Sequence, residues 1–131
     1  MISDAMKQGI VALRPFVPAR DLAQSRAFYE RLGFTAEPLG DQLFHMQLGD
    51  VDGAFCFLLQ DYYVKDWDEN FMMHLLVRDL DAWWAHVEAL ALEKHFPVAA
   101  PRPPVMQPWG LRVSYVFDPA GVLWHFAGQP D

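Results

Sequence analysis

Apolar and polar positions along the chain follow a helical period, then an alternating one, and the whole arrangement occurs twice. Between residues 20 and 32, Leu22, Phe28, Tyr29 and Leu32 fall on one stripe of a helix. The pattern returns between 78 and 90 with Leu80, Trp83, Trp84, Val87 and Leu90. Both segments open on Arg-Asp-Leu (Arg20-Asp21-Leu22 and Arg78-Asp79-Leu80), and they also share Ala27 with Ala85, Glu30 with Glu88 and Leu32 with Leu90. In each, the aspartate stands where its side chain caps the first turn or complements the helix dipole. Strand-like runs precede the helices at 10–17 and 71–77. Others follow at 34–37, 42–48 and 54–60, and again at 96–99, 111–117 and 122–127. Turn signals separate the later runs, at Gly40-Asp41, Gly49-Asp50, Asp52-Gly53 and the Asp118-Pro119-Ala120-Gly121 tetrad. The chain reads as one α+β domain over 1–131, built from two tandem βαβββ modules. Module one covers about 9–60, a linker covers 61–70, and module two covers about 71–128.

Composition narrows the partners. A chain of 131 residues, 53% hydrophobic, can bury about two-thirds of its unfolded surface and needs no disulfide or metal staple. Its single cysteine, Cys56, has no partner for an internal disulfide. The longest strongly apolar run, 54–59, is far short of a membrane span, and the apolar stretch 9–13 is too short for a secretory signal. A cytoplasmic protein is the expectation. Ten Lys and Arg against seventeen Asp and Glu leave a formal charge of -7, which argues against nucleic acid. The acidity suits a cationic ligand, and it equally serves solubility.

Three segments resemble a known family. Val17 to Phe34 (VPARDLAQSRAFYERLGF) looks like the opening of vicinal oxygen chelate proteins, the glyoxalase/bleomycin resistance/dioxygenase superfamily. Phe117 to Phe126 (FDPAGVLWHF) resembles their closing DPxG hairpin, and Trp109-Gly110 is similar to the same region of bleomycin-resistance proteins. The resemblance implies that the paired modules form a U-shaped mixed sheet around a cleft, commonly in a homodimer. It leaves activity open, because the superfamily includes glyoxalases, extradiol dioxygenases, epimerases, antibiotic-modifying enzymes and drug-binding proteins.

In metal-dependent members of the family, His or Glu ligands stand on the first and last strands of each module. The matching positions here are Arg14, Phe57, Met72 and His125. Cationic arginine and phenylalanine cannot ligate, and a thioether suits soft copper rather than a hydrolytic or oxygen-activating ion. His74, two residues beyond Met72, points to the same face and would supply half a site with His125. No acidic residue in 54–60 or 111–117 completes it. The expectation is therefore no metal cofactor.

Alternation sketches the cleft floor. Phe55, Phe57 and Leu59 are expected to face it, with Ala54, Cys56 and Leu58 towards the helices. Arg112, Ser114 and Val116 are expected on the floor, with Val113, Tyr115 and Phe117 packed below. Leu123, His125 and Ala127 face inward while Trp124 and Phe126 pack. The floor then consists of Arg14, Phe55, Phe57, Met72, His74, Arg112, Ser114 and His125, apolar surface with a few polar groups. The same side chains would equally fill the concavity or meet a second subunit. Two loops are placed to close it. In the linker, Tyr62, Tyr63 and Trp67 offer stacking surfaces, and Asp66, Asp68 and Glu69 offer charge for a cation. The proline-rich segment 100–110 is expected as a stiff rim carrying Trp109.

No P-loop, dinucleotide-binding glycine run or Gly-x-Ser-x-Gly element is present. The sequence thus points to a homodimeric small-molecule binder that sequesters an aromatic or cationic compound without a metal, in the manner of antibiotic-resistance proteins. A metal-dependent lyase or dioxygenase of the same fold is the alternative.

Overall fold

The computed structural model describes residues 1–49 and 55–130. The elements run in the order α1 (Asp4–Gln8), β1 (Phe16–Ala19), α2 (Leu22–Leu32), β2 (Thr35–Pro38), β3 (Leu43–Gln47) and β4 (Cys56–Asp61). After the short helix α3 (Lys65–Asp68) come β5 (Met72–Leu76), α4 (Leu80–Leu90), α5 (Leu92–His95), β6 (Arg102–Met106), β7 (Arg112–Phe117) and β8 (Leu123–Gly128). They form two four-stranded sheets with the same topology, β1-β4-β3-β2 and β5-β8-β7-β6. In each, the strand before the helix runs parallel to the last strand of its module, and the other pairs are antiparallel. The repeat in the sequence is thus a repeat in topology. The expected turns at Asp50 and at Asp52-Gly53, and the placement of Ala54, lie outside the described residues.

Both repeated aspartates cap their helices. Asp21 accepts a hydrogen bond from the Gln24 amide at 3.1 Å and Asp79 from the Ala82 amide at 3.0 Å. Helices α2 and α4 lie on the buried faces of the sheets and share one core. Tyr29 of α2 meets Phe57 of β4 and Trp124 of β8 at ring separations of 4.9 and 5.7 Å, and Trp83 of α4 stacks on Phe126 of β8. A buried polar chain crosses the same joint. Trp124 Nε1 donates to the Tyr29 hydroxyl at 2.9 Å, and that hydroxyl donates to Asp118 in the turn before β8. The other Asp118 oxygen accepts from the Ala120 and Val122 amides, so a single carboxylate ties the DPxG turn to module one.

Three elements differ from the alternation pattern. The strand expected at 10–17 forms only at Phe16–Ala19. The residues before it belong to a capped helical turn and an extended arm with Ile10, Val11 and Leu13 exposed. The strand expected at 96–99 lies instead within the proline-rich run, as β6. It is an edge strand whose register shifts between Arg102 and Val105, where Pro103 and Pro104 have no N–H to donate. Phe96 meanwhile packs edge-on against Phe28. The linker is not a simple loop, since α3 sits in its centre.

Candidate functional site

Register and burial identify the face of each sheet that the helices leave open. In module two, His74 pairs with His125 across the parallel β5–β8 ladder, and Tyr115 pairs with His125 across β7–β8. Met72, His74, Leu76, Leu123, His125, Tyr115 and Phe117 therefore share the open face, while Trp124, Phe126 and Val116 face the helices. Along β5 and β8 the expected phase holds, and it brings Met72, His74 and His125 together. The two imidazoles lie with ring centroids 6.0 Å apart, and the Tyr115 ring meets His125 edge-on at 4.9 Å. Burial holds the His125 pKa below the ordinary imidazole value, and the charge of His74 pushes it in the same direction. The Nε2 atom of His125 is shielded and has no hydrogen-bond partner among the described residues.

On β7 the phase is the reverse of the one expected. Arg112 turns to the helix side, where it donates to Asp81 of α4 at 2.9 Å and holds that carboxyl below its usual range. Ser114 is buried and donates to the Arg102 carbonyl at 2.7 Å. Neither stands on the open face, and Tyr115 and Phe117 take their place. Arg112 and Ser114 thus have their partners within the module. Strand β4 is reversed as well. Phe57 is 1% exposed and packs against Tyr29 and Phe34, whereas Leu58 and Gln60 share the open face of module one with Phe16, Pro18 and His45. Because β4 carries apolar residues at successive positions, alternation has no polar side from which to take its phase.

The remaining candidates are scattered. Arg14 is exposed on the arm before β1, on no strand. Phe55 is exposed at the mouth of a cavity of about 160 Å³ between the modules, which Phe34, Phe57, His74 and Trp124 also line. Tyr63 accepts a hydrogen bond from Arg20 at 2.7 Å and lies beneath its guanidinium, so it holds the linker to module one. Asp68, expected to attract a cation, is buried and accepts from the Val64 amide, and burial raises its pKa. Trp67 is exposed and lines a groove of about 170 Å³ on the open face of module one with Phe16, Pro18 and Gln60. Trp109 is exposed in the β6–β7 turn.

The residues at the family's metal positions do not fit a metal. Arg14 lies on the arm, Phe57 in the core, and only Met72 and His125 reach one face. Among the described residues no three His, Cys, Asp or Glu side chains are grouped for an ion, and no helix is long and apolar enough to cross a membrane.

A family model described as the Glyoxalase/Bleomycin resistance protein/Dioxygenase superfamily matches residues 10–126. Among solved structures, a bleomycin-binding protein complexed with bleomycin superposes with a TM-score of 0.72 at 22% identity, over 91% of this chain and 98% of that one. The bleomycin-binding protein of bleomycin-producing Streptomyces verticillus, complexed with copper(II)-bleomycin, gives 0.67 at 22% identity, over 93% and 98%. An antibiotic-binding protein from Streptomyces sp. CB03234 gives 0.66 at 22% identity, over 93% and 98%. No curated protein matches in sequence.

Proposed function

The chain belongs to the glyoxalase/bleomycin resistance protein/dioxygenase superfamily, and from that membership we propose that it binds and sequesters an aromatic or cationic small molecule, without a metal and without turning it over. One observation carries this reading. The open face of module two sets the imidazoles of His74 and His125 among aromatic and aliphatic side chains, and two of the family's four ligand positions, Arg14 and Phe57, hold residues that cannot ligate. Such a surface offers stacking and a few hydrogen bonds, the chemistry of a binder. The antibiotic-binding proteins that share the fold support the same ligand class.

The working unit is a homodimer. Phe16 on one open face and Met72 and Leu76 on the other are 54%, 61% and 56% exposed, and the arm adds Ile10, Val11 and Leu13. Apolar residues distributed over two sheet faces and an arm are the surface a second copy covers, leaving clefts between facing sheets.

Titration of the purified protein with bleomycin and with other cationic aromatic antibiotics, followed by tryptophan fluorescence, tests the proposal. Saturable binding is expected, with the compound recovered unchanged by mass spectrometry. A modified compound, or stoichiometric metal by elemental analysis together with a metal-specific rise in Tm, overturns it.

A further inference from the structure

Strand register arranges the open face of module two in rungs that cross the sheet. His74 pairs with His125, His125 with Tyr115, and Tyr115 with Arg102, so one rung carries a polar side chain from each of the four strands. Residues paired in this way project from the same face. The rung on one side is Leu76, Ala127, Val113 and Val105, and the rung on the other holds Met72, Leu123 and Phe117. A polar stripe thus crosses an apolar surface, with an arginine at one end and two imidazoles at the other. Three strand spacings separate those ends, about 14 Å between backbones. Tyr115 lies between them, its ring 4.9 Å from that of His125. Alternation puts the arginine of this face at Arg112, and the register puts it at Arg102. Arg112 is committed to Asp81 on the helix side, whereas Arg102 is exposed on the edge strand β6. Arg102 and Phe117 also line a cavity of about 320 Å³ at the end of β7, which Arg20 of module one lines as well. Asp118 stands in its wall, with its oxygens taken by the Tyr29 hydroxyl and the turn amides. In a chain whose formal charge is -7, two arginines on one cavity are a local reversal of sign.

Resting on the reading that this face binds an aromatic small molecule, we propose that the ligand is a planar aromatic acid whose carboxylate is received by Arg102. The guanidinium offers a planar fork of N–H donors that matches two carboxylate oxygens, so it fixes the direction in which the ligand lies. The ring extends along the polar rung over Tyr115, with apolar side chains on both flanks. A hydroxyl at its far end meets the imidazole nitrogens of His125 and His74, which accept or donate a hydrogen bond. Two fused rings fill the distance once the arginine side chain reaches inward. Arg102 selects by charge, because a compound of the same outline without the carboxylate loses the charge-assisted pair.

Binding of 6-hydroxy-2-naphthoate and of the neutral 6-hydroxy-2-naphthamide, followed by ligand fluorescence near neutral pH, tests this in wild type, Arg102→Gln and Arg102→Lys. Wild type should bind the carboxylate about tenfold more tightly than the amide. Arg102→Gln should remove that preference and leave the affinity for the amide unchanged. Arg102→Lys should keep part of it, as a point charge without the fork. Because Arg102 is exposed on an edge strand, the glutamine variant should keep the wild-type Tm. In a proton–nitrogen correlation spectrum, added naphthoate should shift the backbone amides of Tyr115 and His125. Equal affinity of wild type for the two compounds, a preference that survives in Arg102→Gln, or shifts confined to other parts of the chain would each overturn the proposal. Failure of both compounds to bind also overturns it. The bleomycin titration separates that outcome from failure of the sequestration reading, which stands if bleomycin binds saturably and falls if it does not.

Discussion

Asp118 shows how much one residue does here. The residue is 2% exposed, and its carboxyl takes hydrogen bonds from the Tyr29 hydroxyl and from two amides of its own turn. Burial outweighs these donors and pushes its pKa up to about 6. A carboxyl whose folded pKa exceeds its unfolded value of 3.8 stabilises most below that value, and the contribution is lost as pH rises towards 6. That difference corresponds to about 3 kcal/mol. Urea unfolding of wild type between pH 4 and 7 should therefore show stability falling by an amount of this order. Asp118→Asn, which cannot ionise, should lack that part of the slope, and an identical slope in both proteins would refute the assignment. Arg112 teaches the opposite lesson. It is a conspicuous cation in a strand, yet it spends its charge on the exposed Asp81. Arg112→Ala should leave ligand affinity unchanged in the fluorescence titration and cost less than about 1 kcal/mol of stability. A clear loss of affinity would return Arg112 to the binding face.

The two copies of the repeat end their helices differently. Helix α2 stops at Gly33, whose φ of 129° lies in the region that only glycine occupies freely. Helix α4 stops at Ala91 with φ 48° and ψ 53°, a left-handed conformation in which a Cβ is strained. The second module thus tolerates at its cap what the first avoids. Substituting Ala91→Gly should raise stability by about 0.5 kcal/mol, since relief of strain exceeds the extra chain entropy of glycine. Thermal denaturation reads the effect directly, and a lower Tm would show that the cap is not strained. The strands show where local pattern suffices. On β5 and β8 the helix-facing residues contact Trp83 and the shared core while histidines mark the other side, so the phase is legible. On β4 the residues Cys56, Phe57, Leu58 and Leu59 offer no contrast, and on β7 the polar side chains face the helix layer.

At the scale of the whole molecule, the open faces and the arm predict association. Analytical ultracentrifugation should give twice the 15.0 kDa chain mass. The double variant Phe16→Asp, Leu76→Asp should sediment as a monomer that retains its far-ultraviolet circular dichroism, because both residues lie outside the core. A wild-type monomer would leave each open face as a separate shallow surface, and the binding site would then be the cavity beside Phe55 and His74. What the sequence determined by itself is the repeat, both capped helices, the number of strands in each module and the meeting of Met72, His74 and His125. The first three follow from local periodicity and from an internal duplication that can be compared with itself, and the last from the family resemblance, which sets the first and last strands of a module around one site, together with the alternation that puts His74 on the face of Met72. The tertiary structure decided the phases of β4 and β7, the placing of β6 within a proline run, and the commitments of Arg112, Ser114, Tyr63 and Asp68. In each case the outcome depends on a partner distant in the chain or on an amide of the local fold. A strand's residues show which of them share a face, and only the element packed against that strand settles which face is buried.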